Sequence, residues 1–102
     1  MKNNVKTYLG FAVKKGSVIY GLDAMERQNK APYAVLLCPT AAQNTAKKTA
    51  EYCKARHVRL LHCDEPLAPV VYKTNCKVLA VTDQGLAQAI LKNTDDITEA
   101  EV

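Results

Sequence analysis

The residues best suited to chemistry lie around Gly21. A short apolar run, Val18 to Tyr20, stops there, a helix-like pattern (Leu-Asp-Ala-Met-Glu-Arg) follows at once, and Lys14 and Lys15 sit just upstream. A helix start carries N–H groups with no acceptor inside the helix and the positive end of the dipole. Both suit phosphate or an RNA edge. That chemistry is binding rather than catalysis. Cys38, Cys53, Cys63 and Cys76 form no Cys-x-x-Cys pair, and His57, His62 and Cys63 lack metal-ligand spacing. Asp83 closes an apolar run and reads as a helix cap, with neither nucleophile nor base beside it. No enzyme activity, cofactor or metal is expected.

Charge points the same way. The chain has 102 residues and a formal charge of +4. All fourteen Lys and Arg fall within residues 1–93, which hold six acids, so that span carries +8. The last nine residues hold four acids and no base, or −4. A basic body suits an anionic partner. The uncharged apolar runs are only a few residues long, too short to span a membrane. The N-terminus has no apolar segment of the kind a secretory signal needs. A cytoplasmic protein with reduced thiols is expected, with Cys38 buried as a small apolar side chain.

These residues must be positioned by a series of alternating elements. Val5, Leu9 and Ala12 or Val13 have helical spacing, and Gly16 ends that helix after Lys14 and Lys15. Ser17–Tyr20 reads as a strand and residues 22–30 as a second helix, stopped by Pro32. Tyr33–Cys38 reads as a central strand. Thr40 and Gln43 match a capping box for a long helix whose inward face is Ala42, Ala46, Thr49, Ala50 and Cys53, with Lys47, Lys48, Glu51 and Lys54 solvated. His57 closes that helix. Val58–Leu61 and Val78–Val81 read as further strands. Residues 64–74, with Pro66 and Pro69, are helix or loop, and Asp83 caps a last helix carrying Leu86, Ala89 and Ile90. Residues 1–93 make one domain, and 94–102 an acidic, frayed tail. Alternation of this kind builds an α/β sheet covered by helices on both faces.

The order of these elements resembles one family when taken with Gly-Phe-Ala-Val-Lys-Lys-Gly at 10–16, Gly21, the Tyr33–Cys38 run, Asn44-Thr45 and Val81-Thr82-Asp83-Gln84-Gly85. It is similar to the kink-turn RNA-binding ribosomal proteins of the large-subunit group called L-seven-Ae, and most to its small bacterial members. The likeness spans about residues 5–93. It implies a three-layer α-β-α sandwich around a four-stranded mixed sheet, with the start of the second helix in a bent RNA groove. The family motif there, Gly-x-Asn-Glu-x-x-Lys, falls on Gly21 to Arg27. Gly21 matches and Arg27 keeps the charge. Asp23 replaces an amide and Ala24 replaces a carboxylate that accepts from guanine. Ionised Asp only accepts, and Ala24 accepts nothing through its side chain, so looser base discrimination is expected. The resemblance also implies that the Pro69–Lys77 loop packs Val70, Val71 and Tyr72 on an extruded base, while Lys73 or Lys77 neutralises phosphate.

Two readings of function follow. The first is a non-catalytic, ribosome-associated binder of structured RNA such as ribosomal RNA, using Lys14, Lys15, Gly21, Asp23, Ala24, Arg27, Val71, Tyr72, Lys73 and Lys77. The second is a protein-interaction module on the same fold, whose RNA site has degenerated at Asp23 and Ala24.

Overall fold

Apolar side chains alternate along each strand, and the alternation sorts the core into two halves. In the computed structural model, residues 3–71, 73, 75–92 and 98–100 are described, the last three by backbone alone. Strands β1 (Val18–Tyr20), β2 (Ala34–Leu37), β3 (Arg59–His62) and β4 (Val78–Val81) form a mixed sheet in the order β1-β4-β2-β3. β4 runs antiparallel to both β1 and β2, while β2 and β3 are parallel. The register places Leu36 beside Leu79 and Leu61, all on one face. Val35, Leu60, Val78 and Ala80 point to the other.

Helices cover both faces. α1 (Asn3–Lys15), α4 (Ala68–Val71) and α5 (Gln84–Lys92) lie over the Leu36 face, where Val5, Leu9, Ala12, Val71, Ala87 and Ile90 are buried. α2 (Leu22–Glu26) and α3 (Gln43–Arg56) cover the Val35 face through Met25 and Cys53. This is the expected three-layer α-β-α sandwich. Each buried Leu or Ile contributes roughly 1.5–3 kcal/mol, which outweighs the weak propensities of these short elements. Both long helices on the two faces end with a left-handed residue and a bond back over five residues. Ser17 N–H donates to Ala12 C=O across Gly16 (φ 79°), and Val58 N–H donates to Cys53 C=O across His57 (φ 57°).

Three local expectations are corrected and one open alternative is decided. α2 stops at Glu26 rather than at residue 30, because Arg27, Gln28, Asn29 and Lys30 are all exposed and present no apolar face to hold another turn. The capping box does not form. Ala42 is the N-cap of α3 and no side chain caps it. The Thr40 hydroxyl instead accepts from Lys77 Nζ at 2.6 Å and lies 3.0 Å from Cys38 Sγ. Residues 64–74, left open between helix and loop, hold the one-turn helix α4, which starts beyond Pro66. Finally, the segment read as a frayed tail contributes a fifth strand. β5 (Thr98–Ala100) pairs antiparallel with β3, satisfying backbone groups that an edge strand would leave open. Among the described residues, no helix is long and apolar enough to cross a membrane.

Candidate nucleic-acid interface

β1, β2 and β3 all end at one end of the sheet, where β4 begins. Gly21 N–H donates to Val78 C=O, Cys38 N–H to Lys77 C=O and Cys63 N–H to Leu37 C=O, so these residues lie side by side there. The carboxyl ends of strands are the usual place for a ligand in open α/β sheets. A cleft of about 500 Å³ opens at this end, lined by Tyr20, Gly21, Leu22, Asp23, Ala24, Arg27, Asn44, Thr45 and Lys48. A second hollow of about 240 Å³ shares Tyr20, Gly21, Leu22 and Thr45 with it and adds Lys73, Asn75, Cys76 and Lys77.

Gly21 makes the turn from β1 into α2 possible. Its φ of 88° and ψ of 151° belong to a region that is almost restricted to glycine. It caps α2 without a side-chain bond, so the first-turn N–H groups of Leu22, Asp23 and Ala24 have no acceptor within the helix. The first turn of α3, also without a side-chain cap, meets the same cleft through Asn44 and Thr45. α2 is five residues long and has little dipole of its own. The longer α3 and the side chains of Arg27, Lys48, Lys73 and Lys77 supply most of the positive potential. Arg27 and Lys48 are exposed. Lys73 Nζ stands 4.3 Å from the centroid of the Tyr20 ring, and burial raises the pKa of that tyrosine, with the nearby Cys76 adding to the effect. Among the described residues, Arg27 forms no ion pair with Asp23, the one carboxylate in the lining.

The residues expected to cooperate divide into groups. Gly21, Asp23, Ala24, Arg27, Lys73 and Lys77 do gather at this end. Lys14 and Lys15 do not. They lie beyond the start of β1, a strand's length away, about 13 Å at the usual rise per residue. Lys15 there donates to the Asp83 carboxylate. Asp83 also accepts from Leu86 N–H at 2.9 Å, the expected N-cap of α5. Val71 is not available to a base. It is 2% exposed and packed in the core, because α4 turns it inward beneath α1. Tyr72 lies outside the described residues. Asn44, Thr45 and Lys48 were not singled out for the site. The i, i+4 spacing of Asn44 and Lys48 marks one helix face, but only the packing of α3 turns that face toward Gly21.

Cys38 lies at the same end of the sheet, its N–H donating to Lys77 C=O. Burial would raise its pKa, but the hydrogen bond with the Thr40 hydroxyl, the Thr40 and Leu67 N–H groups and the charge of Lys77 outweigh it, holding the thiol below its ordinary value. Burial pushes Cys53 up to about 11, and burial with neighbouring negative groups pushes Cys63 up to about 12. All four cysteines are free and buried.

No family model matches the chain, and no curated protein does. Among solved structures it is similar to one described as a protein with unknown function from Bacillus halodurans C. That likeness has a TM-score of 0.81 at 20% identity and covers 89% of this chain and 96% of that one. It shows a shared α/β sandwich fold.

Proposed function

We propose that this chain is a non-catalytic, cytoplasmic binder of structured RNA, in the manner of the kink-turn ribosomal proteins it resembles, and that the cleft at Gly21 receives the RNA. The observation that carries this reading is the meeting of two helix starts that lack side-chain caps with Arg27 and Lys48 around one polar cleft, and with Lys73 and Lys77 in the hollow that adjoins it. Backbone N–H groups and flexible cations in a concave setting suit phosphate oxygens and base edges. Asp23 and Ala24 shape the specificity. An acceptor-only group and a methyl hold fewer base edges than an amide and a carboxylate would. RNA shape and phosphate spacing then contribute most of the affinity.

The test is a binding titration of a kink-turn RNA and an unkinked control of equal length at two salt concentrations. The kinked RNA is expected to bind more tightly. Replacing Arg27 and Lys48 together with Ala is expected to weaken binding and to flatten the salt slope by about 0.7–0.9 for each lost phosphate contact. Equal binding of both RNAs would remove the kink-turn reading. Absence of binding, together with a nuclease-resistant protein partner in a pull-down, would favour the protein-interaction module.

A further inference from the structure

The opposite end of the sheet holds basic groups that the Gly21 cleft does not use. Here β2 and β3 begin and β4 ends. Tyr33 N–H donates to Val81 C=O and Thr82 N–H to Ser17 C=O, closing the backbone into a rim. A hollow of about 310 Å³ opens in that rim, lined by Gly16, Val18, Ile19, Gln28, Lys30, Ala31, Tyr33 and Thr82. No acid lines it. The nearest acid in sequence, Asp83, is engaged by Lys15. Lys14 stands two residues before the rim glycine and is exposed. Tyr33 is 36% exposed, one of two large hydrophobic side chains left open among the described residues, and Lys30 Nζ lies 5.7 Å from its ring centroid.

We infer that this hollow is a second RNA contact, one that takes an unpaired, single-stranded segment: a base stacks on Tyr33, phosphates lie against Lys30 and Lys14, and Gln28 and Thr82 meet the base edge. The inference deepens the reading of the chain as an RNA binder. An exposed ring offers its face only to a base outside a duplex, and an aromatic platform beside cations is how single strands are held without strict sequence preference. Gln28 and Thr82 are exposed and carry both donors and acceptors, which suits any of the four bases. With the Gly21 cleft a sheet-length away, one chain would hold a folded RNA element at one end and its unpaired flank at the other.

The experiment measures fluorescence anisotropy with two probes: a single-stranded RNA of mixed sequence, about ten nucleotides long, and a blunt-ended kink-turn RNA. The chains are the wild type, Tyr33→Ala with Lys30→Ala, Tyr33→Phe, and Arg27→Ala with Lys48→Ala. The Tyr33/Lys30 double variant is expected to lose single-strand affinity by about fivefold or more, the scale of one lost stacked base. Its salt slope should flatten by about 0.7 for the lost lysine, and its affinity for the blunt kinked RNA should stay unchanged. Tyr33→Phe keeps the ring and should bind as the wild type does. The inference is overturned if the wild type ignores the single strand, if the double variant binds it unchanged, or if the Arg27/Lys48 variant loses it equally. Absence of affinity for the kinked RNA alongside Tyr33-dependent single-strand binding would sink the Gly21 reading and leave this one standing.

Discussion

Lys15 donates to the carboxylate of Asp83, 68 residues further along the chain, and so ties the last turn of α1 to the first turn of α5. Asp83 serves both helices at once. One oxygen accepts from Lys15 and the other from Leu86 N–H. The lysine bond, with the backbone donors of α5, holds its carboxyl below the usual aspartate range. The two helices pack on the same face of the sheet, and the pair links them there.

That relationship sets the response to acid. A depressed folded-state pKa contributes stability above the pKa of the unfolded chain, and the contribution is lost as pH falls through the folded value. Asp83→Asn keeps an acceptor for the cap and removes the charge. It is expected to melt below the wild type at neutral pH and to converge with it as the solution is acidified past the normal aspartate range. Asp83→Ala loses the cap as well and should melt lowest throughout. Thermal melts across the acid range check the order. A wild type and Asp83→Asn that differ equally at every pH would contradict it.

Gly21→Ala separates backbone strain from steric exclusion. A Cβ built at Gly21 meets no atom within 4 Å, so the cost comes from forcing an L-residue to φ 88°. About 1–3 kcal/mol is expected, read from a urea unfolding curve. Gly10, inside α1 and likewise with open space at its Cβ, is the control. Gly10→Ala is expected to raise stability by about 0.5–1 kcal/mol, since alanine is the better helix former.

Among the described residues, Asp23 is the one acid lining a cleft that also holds the cations Arg27 and Lys48. Asp23→Asn removes a charge that repels phosphate and adds a donor. Affinity for structured RNA is expected to rise several-fold, with the larger gain at low salt, where screening is weakest. Asp23→Ala removes the charge alone and should gain less. Titrations of the three chains against one RNA settle the ranking, and a weaker Asp23→Asn would exclude phosphate from this wall.

Thiol alkylation reports the environment of Cys38. The Thr40 hydroxyl bond and the charge of Lys77 favour its thiolate, whereas burial holds Cys53 at about 11 and Cys63 at about 12. Thr40→Val and Lys77→Gln are each expected to move the alkylation profile of Cys38 to higher pH, with little change at the other thiols. Peptide mapping after timed labelling identifies the site. Preferential labelling of Cys63 at neutral pH would be the opposite result.

Much of the fold was legible in the sequence, because the apolar spacing of a helix or strand is a local record of which face is buried. Val5, Leu9 and Ala12 marked α1, the unbroken run before Pro39 marked a strand covered on both faces, and Asp83 marked a cap. The stop of the apolar run at Gly21, with a helix-like pattern directly after it, marked a strand-to-helix turn, and its backbone angles bear out the turn. Local order could not settle which distant residues meet. Lys14 and Lys15 precede Gly21 by only a few residues, yet β1 carries them to the opposite end of the sheet. Lys48 is far along the chain but returns to the cleft on α3. Val71 resembled a surface contact until the packing of α4 under α1 buried it. Strand order and helix packing decide those distances, and they follow from burying both faces of one sheet at once, a condition no single segment carries.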